Sequence, residues 1–322
     1  MRLTEINWIR FYATCCIVIW HCFFCPITCW DILEPTSRTK IIAFWGWVFM
    51  PIANMPLFTF ISGFLFEFIY NRSEKYKNWR YFVKNKAERL LVPFFVFGSL
   101  ISISSPEFHL YQMLYGAGSH MWYCTMLFWC FAIAWLLKQT IYIYLTELLA
   151  LVSIFTIIYF GEDVPKMPFG IHKTLFYFYY FYLGQLVCKY NVFFIKYRKY
   201  FVLGIFVVLL LQFYFKFDWY RQLGVIPYTT AFVLILYYLA KSIPEKWFRE
   251  NGFVSTICSY SFGIYVFHQW ISWIVYKTPY FQNIFKENVL SFAISFTVVD
   301  FIISILSTNL LLRTKIGKYL LS

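Results

Sequence analysis

The sequence predicts an all-α, polytopic transmembrane protein of about ten helical spans, and three observations carry that prediction. Of 322 residues, 61% are hydrophobic and only 13% charged, against about 45–50% and about 25% in a typical soluble domain. Too few polar side chains remain to coat a water-facing surface. The chain also divides into apolar runs close to the roughly 20 residues that a helix needs to cross the hydrocarbon core. Finally, aromatic residues make up 25% of the chain, which suits a lipid-facing wall with aromatic belts at both interfaces.

The runs are 7–26, 44–70, 90–106, 121–138, 141–160, 171–189, 200–217, 224–240, 253–276 and 289–312. Pro51 and Pro56 in the long second run predict a kink or an interfacial segment before the span proper. The fourth and fifth runs are joined by a few residues around Gln139, which requires an antiparallel hairpin. With the N-terminus inside, 19 of the 28 Lys and Arg fall on the cytoplasmic side, seven of them between Arg72 and Arg89, and eight on the outside. This bias predicts that both termini are cytoplasmic, and it accounts for the net charge of +13 without a nucleic-acid partner. No linker, low-complexity tract or repeat interrupts the chain, so residues 1–322 read as one membrane domain. The first run lacks the basic flank and small-residue cleavage site of a signal peptide. Most of the nine cysteines lie in apolar runs and read as small packing hydrophobes. Cys22-Phe-Phe-Cys25, followed by Cys29, lacks the second ligand pair of a metal site.

Ionisable residues within a span are costly and mark function. The last of the 28 basic residues, Arg10, lies in span one, and so does His21. Eleven residues apart on an α-helix, they lie within about 20° of one face and about 16.5 Å apart along the axis. That shared face weighs against snorkelling for Arg10 and plain packing for His21. Arg10 lies toward the cytoplasmic surface and His21 in the outer half. His120, which opens span four, and His268 in span nine fall in the same half, and His109 and His172 lie in or beside outer loops. No two histidines have close zinc-ligand spacing, so their convergence suits proton transfer better, and no metal is expected. At the inner end, Lys86 and Arg89 stand at i and i+3 beside Lys84 and Arg80. They read either as ordinary positive-inside charge or as a site for a polyphosphate ligand. Asn54, Phe58 and Ser62 form one stripe, with Gly63 allowing close helix approach. Ser261, Tyr265 and His268 form another. Glu147 and Asp300, inside spans five and ten, read as partners of a basic or polar group.

Together these residues resemble the acyltransferase 3 family of bacterial membrane acyltransferases, over nearly the whole chain. Arg10 and His21 resemble the family's Arg-x10-His in its first helix, and Asn54 to Phe64 resembles its second-helix segment. Lys86-Ala-Glu-Arg89-Leu-Leu-Val-Pro93 is similar to its Arg-x-x-Arg stretch, with Lys86 where the family commonly has Arg, a point charge for a bidentate fork. His120-Met-Trp122-Tyr123 and Ser261-Phe-Gly-Ile-Tyr265-Val-Phe-His268 resemble its fourth-span opening and its late Ser-Tyr-x-x-Tyr-x-x-His segment.

The resemblance implies acyl transfer, usually of acetyl, from cytoplasmic acyl-CoA to a carbohydrate hydroxyl on a surface polysaccharide or its lipid-linked precursor, at the bacterial inner membrane. Acyl-CoA is then a co-substrate, and no cofactor is bound permanently. Lys86, Arg89 and Arg10 are placed to hold its phosphates, with Trp122 lining its path. His21 acts either as general base on the acceptor hydroxyl or as a transiently acylated nucleophile. His120, His268, Tyr265 and Ser261 are candidates for the acceptor or for proton transfer, and Asn54 and Ser62 for oxyanion contacts or simple packing. Three other readings compete. A transporter or flippase for a lipid-linked glycan would usually carry an internal repeat. The membrane-bound O-acyltransferase family fits the motif order less well. A scaffold or sensor leaves Arg10 and His21 unexplained.

Overall fold

The computed structural model describes residues 3–28, 54–104, 113, 115, 119–139, 144–160, 166–215, 221–250 and 252–321. Pro51, His109 and Cys29 lie outside the described residues, as does the side chain of Asn54. Helix accounts for 91% of the structure and strand is absent among the described residues, which makes the class all-α. Ten principal helices follow the apolar runs. They are α1 Thr4–Ile19, α2 Asn54–Tyr70, α3 Val92–Ser104, α4 Trp122–Lys138, α5 Leu145–Phe160, α6 Ile171–Lys189, α7 Arg198–Phe215, α8 Arg221–Ser242, α9 Phe253–Lys277 and α10 Val289–Leu312. A π turn, Trp20–Phe24, and a short helix, Cys25–Thr28, extend α1. By length and hydropathy, Thr4–Ile27 and Val289–Leu312, 24 residues each, are candidate membrane spans.

On two of these helices the exposed face is apolar and polar side chains are buried behind it. On α10 the residues Leu290, Ile294, Val298, Ile302, Leu306 and Leu310 form an exposed row at i, i+4 spacing, while Asp300, Ser304 and Thr308 are buried on the opposite side. Likewise, α5 exposes Leu148, Leu151, Phe155 and Tyr159 and buries Ser153 and Thr156. Apolar faces turned outward with polar groups satisfied inside are what hydrocarbon as solvent selects.

The described residues group into two compact units, Met1–Met55 with Ile243–Ser322, and Pro56–Ser242. In the first, α9 packs against both α1 and α10. Helices α1 and α9 run parallel. The Cys258 thiol donates to Asn7 O near their starts, and Cys22 meets Ser272 further along. Helix α10 is antiparallel to α9, because Tyr260 reaches Asn309 and Ser272 reaches Asp300.

In the second unit, α6 packs on α4 and α5. Gly63 of α2 and Gly184 of α6 face each other's helix so closely that a Cβ on Gly63 would meet Phe181 O, and one on Gly184 would meet Phe60 O. This is the close approach expected at Gly63, and it lets Phe66 contact Phe82, Phe131 and Phe181 with ring centroids 5.8–6.1 Å apart.

Candidate active site

The first unit holds a pair of imidazoles. His21 is the second residue of the π turn, and its Nδ1 lies 3.0 Å from Ile17 O. His268, fully buried, places its Nδ1 2.8 Å from Ile264 O. The two rings meet edge to face at 4.9 Å, with His268 Nε2 3.2 Å from His21 Nδ1. Carbonyl oxygens only accept, so each Nδ1 carries a proton. In the neutral pair His268 Nε2 is therefore the acceptor for His21 Nδ1–H, and the lone pair of His21 is on Nε2. A ring held with its basic nitrogen fixed and its other N–H engaged is equipped to take a proton from a hydroxyl.

A second cluster begins one residue further along α1. The fully buried Asp300 carboxylate accepts the Ser272 hydroxyl at 2.7 Å and the Cys22 thiol at 3.3 Å on Oδ2. Its Oδ1 accepts the Ser304 hydroxyl at 3.0 Å. Tyr276 OH donates to Cys22 O, so the π turn is held from both α9 and α10. The anticipated partner of Asp300 is thus a set of neutral donors. Such π bulges are commonly found at functional sites, which is consistent with His21 as a candidate.

Arg10 lies within electrostatic range of the Cys258 thiol of α9. Tyr265 is buried, with its ring 6.2 Å from that of His268. Ser261 donates to Cys258 O of its own helix at 2.9 Å.

The second unit carries the basic stretch. Lys86 ends the helix Trp79–Lys86, and Arg89 sits in the π turn Ala87–Leu91 that follows. The extra residue in that turn breaks α-helical register, so the two cations part. Arg89 is exposed, while the Lys86 ammonium lies 3.8 Å from the Phe131 ring centre, 5.5 Å from Tyr76 and 5.8 Å from Phe82. Burial, with Arg89 as a further positive charge, lowers the Lys86 pKa to about 7. Trp122 lies 5.4 Å from the Tyr177 ring, with the Lys173 ammonium 5.5 Å above it. His120 is buried in the 3-10 turn Ser119–Met121. His172 Nδ1 accepts Met167 N–H at 3.2 Å. Ser62 donates to Phe58 O at 2.8 Å, and Glu147 accepts the Tyr182 hydroxyl at 3.0 Å.

Sequence reasoning passed over Glu67. It is buried and receives the Lys138 ammonium on both oxygens, at 2.9 and 2.7 Å, with Asn71 donating at 3.0 Å. A carboxylate in the apolar run 44–70 was the signal available. Ser272 was also passed over and Cys22 was read as a packing hydrophobe, and in one dimension nothing distinguishes the two from packing residues.

Neither curated proteins nor solved structures provide a match to this chain. A family model does: the acyltransferase domain of the acyltransferase 3 family matches residues 3–308. That stretch runs from the start of α1 through most of α10, so it takes in the imidazole pair, the Asp300 cluster and the basic stretch. By that match the chain belongs to the acyltransferase 3 family, and its coarse function is that of a membrane acyltransferase.

Proposed function

We propose that this protein is a bacterial inner-membrane O-acyltransferase of ten spans with both termini in the cytoplasm, acting as one functional domain. It transfers an acyl group, acetyl first among them, from cytoplasmic acyl-CoA to a carbohydrate hydroxyl on a surface polysaccharide or its lipid-linked precursor. The observation that supports the reading is His21, whose Nδ1–H is directed at Ile17 O and His268 Nε2, which leaves the basic lone pair on Nε2. A sugar hydroxyl is a poor nucleophile until its proton is removed, and an imidazole is the side chain suited to that near neutral pH.

In this reading His21 Nε2 takes the acceptor proton while the hydroxyl oxygen attacks the thioester carbon. The C–S bond breaks, and the CoA thiolate leaves with a proton. Arg10, Lys86, Arg89 and Trp122 keep the acyl-CoA-binding role assigned from sequence, each within its own unit. His120, Tyr265 and Ser261 remain the candidates for acceptor binding or proton transfer assigned from sequence. The parallel run of α1 and α9, with α10 opposed, supports the span order, since spans one and nine then cross in the same sense.

The test is release of free CoA thiol from acetyl-CoA by purified protein in nanodiscs, with and without a surface-glycan extract. Release should rise with glycan and fall by at least about 100-fold in His21→Ala, with folding intact. A His21→Ala protein that turns over normally removes His21 from the chemistry. Absence of release by wild type together with absence of acetyl-CoA binding removes the acyl-CoA reading itself.

A further inference from the structure

Resting on that reading, we propose that His268 is the positioning partner of His21 and that the two rings act as a single base through the His21 Nδ1–His268 Nε2 hydrogen bond. The argument starts from the two backbone carbonyls. Ile264 O fixes the proton of His268 on Nδ1, so His268 Nε2 faces His21 as a lone pair. Ile17 O places the His21 proton on Nδ1, directed between that carbonyl and His268. Ile17 O alone could orient His21, but a backbone carbonyl cannot accept a proton outright. His268 can.

When His21 Nε2 takes the acceptor proton, the positive charge spreads over the Nδ1–H···Nε2 bond to His268, whose own Nδ1–H remains on Ile264 O. As the C–S bond breaks, the CoA thiolate takes one proton and the pair returns to neutral. His268 thus fills the place that a carboxylate fills beside the histidine of a serine-hydrolase triad. A neutral partner has a specific advantage here: the resting pair carries no net charge, and a charge in an apolar interior is expensive. The titratable groups near the pair within this unit are Cys22 on α1, Tyr265 and Tyr276 on α9, and Asp300 on α10. Asp300 is engaged by Ser272, Ser304 and Cys22.

Three variants and one spectrum test this, with wild type and His21→Ala run alongside in the CoA-release assay. His268→Gln can still accept the His21 Nδ1–H bond through its amide oxygen but cannot take a proton. It should lower kcat by roughly 10–100-fold with KM for acetyl-CoA unchanged, and shift the acid limb of the pH–rate profile. His268→Ala should lose more. His268→Glu, with a carboxylate to receive the bond, should recover at least about tenfold over His268→Ala. In wild type labelled with ¹⁵N-histidine, a nitrogen–nitrogen coupling should appear across one imidazole–imidazole hydrogen bond, from a protonated Nδ1 to an unprotonated Nε2. Wild-type kcat and an unshifted profile in His268→Gln would overturn the proposal while leaving the acyltransferase reading intact if His21→Ala is inactive. Absence of the coupling overturns it without any variant having to fold. A wild type that releases no CoA fails the reading on which the proposal rests.

Discussion

Lys86 holds its proton weakly. Its pKa of about 7 comes first from burial among the Tyr76, Phe82 and Phe131 rings and second from Arg89. The unfolded chain keeps that proton to about 10. Between pH 7 and 10 the unfolded state therefore binds more protons than the folded one, and this group's contribution to stability rises with pH across that window. Anion binding runs the other way, because a phosphate beside Lys86 favours the charged form. If Lys86 engages acyl-CoA, affinity should fall as pH rises above about 7, by at most tenfold per pH unit. Titration calorimetry of acetyl-CoA across pH 6.5–9 reads this directly. Lys86→Arg, charged throughout, should flatten the dependence. At this scale the sequence was informative wherever a residue was out of place in lipid: Arg10, His21, His268, Asp300 and Glu147 all have polar neighbours. It was silent on Cys22 and Ser272, which look like packing residues until Asp300, 278 residues beyond Cys22 and 28 beyond Ser272, meets both. It was silent also on the inward turn of Lys86, because a π turn leaves no mark on hydropathy.

At the scale of elements, both singled-out stretches of the helical framework, Trp20–Phe24 and Ala87–Leu91, depart from α geometry. The first is bracketed by the Asp300 cluster and Tyr276, so its shape depends on α9 and α10. Asp300→Ala removes the acceptor shared by Ser272, Cys22 and Ser304. It should lower stability by about 1–3 kcal/mol and reduce turnover through His21. Asp300→Asn, which keeps a carbonyl acceptor, should lose less of both. Thermal unfolding in detergent beside the CoA-release assay checks the pair, and equal stability of Asp300→Ala and wild type would rule out the bracket. Helix bounds were the most legible feature. The runs 171–189 and 289–312 coincide with α6 and α10 to the residue, because short polar connections mark both of their ends. Elsewhere the helices begin or end a few residues away from the apolar runs, as at Arg198 and Arg221, where amphipathic residues extend the turn beyond the apolar stretch.

For the whole molecule, the outward apolar rows of α5 and α10, the polar residues buried behind them and the family match agree on a membrane protein. The topology rests on the asymmetry of Lys and Arg, which composition makes readable and which helix packing inside one unit does not address beyond the senses of α1, α9 and α10. A fluorescent-protein fusion at the C-terminus should fluoresce, and an alkaline-phosphatase fusion there should be inactive, if that end is cytoplasmic. The reverse pattern would invert the assignment of every loop. What one dimension could not convey is which helices meet. Span order and the Lys and Arg bias place His21 and His268 in the same outer half, but the bond between them depends on α1 finding α9.

That bond also sets an order of events. His21 and His268 stand 247 residues apart, and at about 5–20 residues per second the ribosome needs on the order of 10–50 s to pass from one to the other. Throughout that interval the first helix is already in the bilayer with its histidine and arginine awaiting partners. The imidazole pair can form only once α9 has arrived, and the Asp300 side of the π turn is held only when α10 follows. If the pair is the base proposed above, a chain interrupted anywhere in between should lack it and release no CoA thiol.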